Sequence, residues 1–180
     1  MASKLITPPT ALCISLADAK QACRFDDAAL DGTITRYIAT ATRVYEHQTG
    51  VSLMPQTWEC TLDAFPGGGI ELTRTPVAAI VSIVYADGAG TLQTLASGEY
   101  SLDNADQYGP AYAVPSYASS WPATRGEINA VRVRYIAGFA NAAAVPAHHI
   151  DGVLVNVARL IDDPDCMYER IAEIDRVYYV

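Results

Sequence analysis

Histidine is the first side chain to question about chemistry, and the chain has three: His47, His148 and His149. Adjacent residues on a helix point about 100° apart, so His148 and His149 are poorly placed to share one ion. A His-x3-His step would do so. Asp151 is near, but a third ligand would have to come from elsewhere, so the pair reads as a surface feature at a helix start. The four cysteines, Cys13, Cys23, Cys60 and Cys166, include no C-x-x-C pair and read as free thiols. No Gly-x-Ser-x-Gly elbow occurs. Gly67-Gly68-Gly69 lacks the Lys-Ser/Thr of a phosphate loop and is expected to be a hairpin connection. Asp162-Asp163-Pro164-Asp165 lacks the glycine and the distal glutamate of a calcium loop. These absences argue against an enzyme and against a bound metal or cofactor. One cluster keeps a binding role open. Tyr108, Tyr112, Tyr117 and Trp121 lie in the segment 108–121 and have ring faces that stack on bases or sugars. Packing on the sheet or a subunit contact is the plainer expectation for them.

The elements that would position these residues follow from hydrophobic period. Ser15, with Asp18 three residues on, predicts an N-capped short helix over 15–23. Leu30, Ile34, Tyr37, Ile38, Ala41, Val44, Tyr45 and Gln48 recur in steps of three and four, which predicts a long helix over 27–49 closed by Gly50. Thr33, Thr35, Arg36, Thr40, Thr42 and Arg43 are expected on its opposite, polar face. From Thr57 the period changes to two. Short strands are expected at 57–65, 70–74, 77–85, 91–95, 100–103 and 130–137, with a loop at 109–122. Local pairing would make them an antiparallel, meander-like sheet. Pro146 predicts a third helix start, with Ile150, Val153, Leu154, Val157 and Ile161 as its stripe. Residues 1–14 read as an extended lead. The fold class is α+β: a small helical bundle of two N-terminal helices plus a C-terminal helix, interrupted by an inserted antiparallel β-domain. The expected boundaries are 1–50, 51–145 and 146–180.

Composition bounds the rest. The chain has 180 residues, 51% of them hydrophobic and 18% charged, which excludes general disorder. No apolar run approaches the ~20 residues of a spanning helix, and the first residues lack the apolar core of a signal peptide. Twelve basic against twenty acidic residues give a net charge of −8. That balance disfavours tight binding to a nucleic-acid backbone. Residues 1–50 are neutral overall, with five groups of each sign, so the acidic surplus lies wholly beyond them.

The ordered series of short motifs is more specific than any one of them. It runs Lys4-Leu-Ile-Thr-Pro-Pro9, Ser15-Leu-Ala-Asp-Ala-Lys20, Tyr45-Glu-His-Gln-Thr-Gly50, Gln56-Thr-Trp-Glu59 and Leu62-Asp-Ala-Phe-Pro66. It continues through Ile70-Glu-Leu-x-Arg-x-Pro-Val77, Tyr117-x-x-x-Trp-Pro-Ala-Thr-Arg125, Asn129 to Gly138 and Ala144-Val-Pro146. This series, from residue 4 to about residue 160, resembles the head–tail connector proteins (adaptor or head-completion proteins) of long-tailed double-stranded DNA bacteriophages.

The resemblance implies a structural virion protein at the neck of the particle, present in the host cytoplasm during assembly. It implies a dodecameric ring beneath the portal that extends the DNA channel and docks stopper or tail-terminator components. Its partners would be further copies of itself, the portal protein and the stopper, with transient proximity to packaged DNA and no membrane. The helical part would form the ring, with Thr33, Arg36, Thr40 and Arg43 facing a neighbour or the channel. The C-terminal segment, with Arg176, Val177, Tyr178, Tyr179 and Val180, would grip the portal. The linker Asp162–Cys166 is short and acidic where family members often carry a longer polar one. The competing readings are a small hydrolase or carbohydrate-binding protein using segment 108–121, and a tail-completion protein at another junction of the particle.

Overall fold

A computed structural model describes residues 1–106 and 109–163. The chain divides into two compact units, one built from Met1–Pro9 with Pro55–Gly138 and the other from Thr10–Met54 with the chain from Phe139 onward. The fold is α+β, with three helices and two antiparallel sheets among the described residues. No described helix is long and apolar enough to cross a membrane.

The helical unit holds α1 (Leu16–Cys23), α2 (Asp31–Thr49) and α3 (Ala147–Asp162). Ser15 caps α1 by accepting from the Asp18 amide at 3.1 Å. Arg24 ends it in the left-handed conformation, and Phe25 N–H closes back on the Lys20 carbonyl. The second helix begins at Asp31 rather than at residue 27. A single 3₁₀ turn, Ala28–Leu30, precedes it because the Asp27 carboxylate accepts from the Ala29 amide at 2.8 Å and holds a tighter start. Gly50, at φ 75°, closes α2 as the sequence predicts. The core of the unit is Ile34, Ile38, Ala41 and Val44 of α2 against Val153, Val157 and Leu160 of α3, with Ala19 of α1 and Leu53 joining them.

The β unit holds β1 (Ala2–Thr7), β2 (Gln56–Leu62), β3 (Ile70–Leu72), β4 (Val77–Ala86), β5 (Leu92–Thr94), β6 (Tyr100–Asp103), β7 (Ala111–Pro115) and β8 (Val131–Ala137). They form two sheets, not one meander. The larger has the order β1-β2-β8-β4-β5 and the smaller β3-β7-β6. The last strand therefore sits at the centre of the larger sheet. Alternation explains its place. Val131, Val133, Tyr135 and Ala137 are buried, while Arg132 and Arg134 are exposed. In register, Arg134 stands opposite Glu59, and the two pair at 2.6 Å.

Three expectations change here. The lead at 1–14 contains β1, which pairs with β2 and belongs to the β unit. The loop at 109–122 contains β7, which lies between β3 and β6 and buries Ala111 and Ala113 in the core. The three glycines join β2 to β3, which lie in different sheets, so they form a crossing rather than a hairpin. Gly69 is needed for space: a Cβ there would stand 3.0 Å from Val114 and 3.2 Å from the Tyr112 Cβ. Trp58, Cys60, Val131, Val133 and Tyr135 of the larger sheet meet Ile70, Leu72, Ala111 and Ala113 of the smaller to form one core. The Arg74 guanidinium lies 4.5 Å from the Trp58 ring centre and covers it.

Candidate functional site

The predicted stripe Thr33, Arg36, Thr40 and Arg43 lies along α2. Arg36 is exposed and the other three are half-buried. The Arg36 guanidinium sits 5.7 Å from the Tyr37 ring centre, and Arg43 reaches toward Glu46 at 3.8 Å. Thr35 is exposed, but Thr42 is not on this face. It is buried, with its hydroxyl donating to the Ile38 carbonyl at 2.7 Å and lying 3.6 Å from the Cys13 sulfur. Gln48, placed on the apolar stripe by spacing, is exposed, and the buried position is Glu46.

Glu46 is 3% exposed. Its Oε1 accepts from the Leu53 amide at 2.7 Å, which ties the end of α2 to the segment that leaves it. A carboxylate four residues before a helix-ending glycine, in step with Ile34, Ile38 and Thr42, is the signal by which sequence could have found it. Its role is to satisfy a buried backbone donor.

The histidine pair splits. His148 is exposed, whereas His149 is 6% exposed and belongs to the core, so the surface-pair expectation fails for His149. The buried stripe of α3 runs His149, Val153, Asn156, Val157 and Leu160, one step round from the predicted one. His149 Nδ1 lies 2.9 Å from the Tyr45 hydroxyl, and its ring contacts Phe139 at 5.9 Å and His148 at 4.1 Å between centres. Burial first, and then His148, hold its pKa below the ordinary 6.5. Its Nε2 is buried and makes no hydrogen bond within the described residues. Gly152 permits this arrangement, because a Cβ there would run into the Tyr45 ring. Among the described residues no three His, Cys, Asp or Glu side chains cluster closely enough to hold a metal. Cys13 and Cys60 are buried, and burial pushes the Cys60 thiol up to about 11.

The aromatic segment also divides. Tyr112 is half-buried on β7, Tyr117 is fully exposed, and Tyr108 lies outside the described residues. Trp121 stacks on Phe65, with ring centres 4.9 Å apart and planes 8° from parallel. Its indole N–H donates to the Gly68 carbonyl at 2.7 Å. Phe65 in turn meets Tyr85 edge-on at 5.6 Å, which seats the stack on β4. Residues 176–180 lie outside the described residues.

No family model and no curated protein matches the chain. Solved structures do. A chain of the virion of a native gene transfer agent particle covers 84% of its own length and 90% of this chain, with TM-score 0.74 and 21% identity. A chain from the neck of the empty particle, computed with C6 symmetry, gives 0.73 at 21% identity over the same shares. One from the neck of the native particle, computed with C12 symmetry, gives 0.67 at 22%. The chain shares the fold of these neck and virion parts, which is consistent with the head–tail connector family that its motifs resemble.

Proposed function

We propose that this protein is a structural component of a particle neck, a head–tail adaptor that assembles as a ring under the portal. The observation that carries the reading is the match over nine-tenths of the chain to neck and virion parts of a gene transfer agent particle. The necks were computed with C6 and with C12 symmetry, which supports a cyclic ring, and twelve is the copy number in this proposal. Ring contacts are heterologous and close by rotation, so one face of each subunit meets a different face of the next. The helical unit supplies the contact in this proposal, with Thr33, Arg36, Thr40 and Arg43 toward a neighbour or the channel. The segment Arg176–Val180 engages the portal by adding an extended strand or filling a pocket. The net charge of −8 suits a channel that must let DNA pass, since a basic surface would hold phosphates.

The test is reconstitution of the full chain with the portal ring of the same particle, followed by electron microscopy. The expected result is a second ring stacked beneath the portal, lost when residues 168–180 are removed. An intact portal that recruits no protein, together with purified particles that lack the chain, refutes the reading.

A further inference from the structure

The stack of Trp121 on Phe65 borders a groove of about 380 Å³ on the β unit. Pro66, Pro115, Ser119 and Ser120 complete its working surface. We propose that this groove binds a neutral oligosaccharide, with one sugar ring laid on the Trp121 indole. The proposal stands apart from the neck reading and holds or fails without it.

Three observations select this ligand class. The indole is fixed before any ligand arrives. Phe65 backs it, Tyr85 backs Phe65, and the Gly68 carbonyl holds its N–H. A rigid aromatic plane offers a stacking surface at little cost in conformational entropy. The same hydrogen bond removes the N–H from use, so the indole cannot donate to the carbonyls of an extended proline-rich peptide, the usual aromatic-groove partner among peptides. The groove is also lined by no charged side chain, in a protein of net charge −8. Nucleotides have bases that would stack here, but their phosphates would find no cation. What remains is a flat, uncharged ligand with many hydroxyls. Ser119 is half-buried and Ser120 exposed at the groove, and each hydroxyl both donates and accepts, as sugar hydroxyls require. The volume sits at the small end of ligand pockets, roughly 300–1,000 Å³, and suits a short saccharide.

Titration of the full-length protein with maltotriose and with tri-N-acetylchitotriose, followed by tryptophan fluorescence, tests this. The chain has two tryptophans, and Trp58 is buried, so a ligand-dependent change reports Trp121. The expected result is a saturable change with at least one of the two sugars, at a Kd of roughly 1 mM. Trp121→Ala should abolish binding measured by calorimetry. Ser119→Ala with Ser120→Ala should raise Kd about tenfold, as expected for two lost neutral hydrogen bonds. Circular dichroism checks that both variants fold, and if Trp121→Ala does not, the double serine variant decides. The proposal is overturned if neither sugar gives a saturable response up to about 20 mM, some twentyfold above the expected Kd. It is equally overturned if decaproline or a thymidine oligonucleotide binds where both sugars fail, or if the folded variants bind sugar as the parent does.

Discussion

The two units solve the problem of a small core in opposite ways. The β unit buries almost nothing polar: of the six buried polar or charged residues described, only Gln56 belongs to it. The other five, Thr42, Glu46, Ser52, His149 and Asn156, lie in the helical unit. Two antiparallel sheets satisfy their backbone groups strand to strand and can meet through apolar faces alone. Helices leave unpaired amides and carbonyls at their ends. Glu46 satisfies the Leu53 amide in the segment just beyond α2, and His149 with Tyr45 joins α2 to α3 by a directional contact. The β unit is held mainly by area and shape. The helical unit depends also on hydrogen bonds, one of which involves an imidazole whose pKa burial holds below its ordinary value.

That contrast can be broken by mutation. Trp58→Ala strikes the apolar core and should cost about 3–5 kcal/mol in urea denaturation. The loss should be the same at pH 8 and pH 5.5. Glu46→Ala strands the Leu53 amide and should cost about 1–3 kcal/mol. Glu46→Gln keeps an acceptor there and should cost less, and equal losses for the two variants would remove the hydrogen bond from the account. Gly152→Ala should cost about 1–3 kcal/mol by driving a methyl into the Tyr45 ring.

The pH dependence sharpens the comparison further. His149 has a folded pKa below its ordinary 6.5, so the unfolded chain binds more protons as pH falls through that value. Stability must then fall from about pH 6.5 downward. His149→Phe should flatten that slope, as read from thermal melts between pH 5 and 8. The helical signal should respond to acid before the near-ultraviolet signal of the β-unit aromatics. A common midpoint for both signals at every pH would mean that the units do not differ in this respect. The smallest effect is chemical. Iodoacetamide should modify Cys23, which is half-buried, well before Cys13 and Cys60 in the folded protein, as mass spectrometry of the labelled peptides would show.

The same contrast explains what the sequence made legible. The α2 stripe and the alternation of β8 are strong local signals: β8 forms where the spacing predicts it, and α2 ends where predicted but starts at Asp31 rather than residue 27. Gly50 marks its helix end for a local steric reason as well. β1 could not be read this way. Its partner lies more than fifty residues on, and Lys4 opposite Glu59 becomes meaningful only once the register is known. β7 was hidden because its buried positions are alanines, too weak to make a pattern. Glu46 escaped notice and His149 was read as a surface residue, because polar residues on a buried face look like interruptions of the stripe until their partners appear. The family resemblance pointed to the fold that the neck structures share, while the roles of Thr33, Arg36, Thr40 and Arg43 rest on the proposal.

The central position of β8 bears on how the molecule is made. A chain emerges from the ribosome N-terminus first. Until Ala137 is out, the β1–β2 pair and the β4–β5 pair have no strand to join them, and isolated two-stranded pairs are marginal in water. The helices α1 and α2 are made earlier still, yet their core waits for Val153, Val157 and Leu160 of α3. Both cores are therefore completed by one late stretch, residues 131–162. A nascent chain stalled before that stretch exposes two unfinished apolar surfaces at once, and the arrival of residues 131–162 decides whether either unit folds.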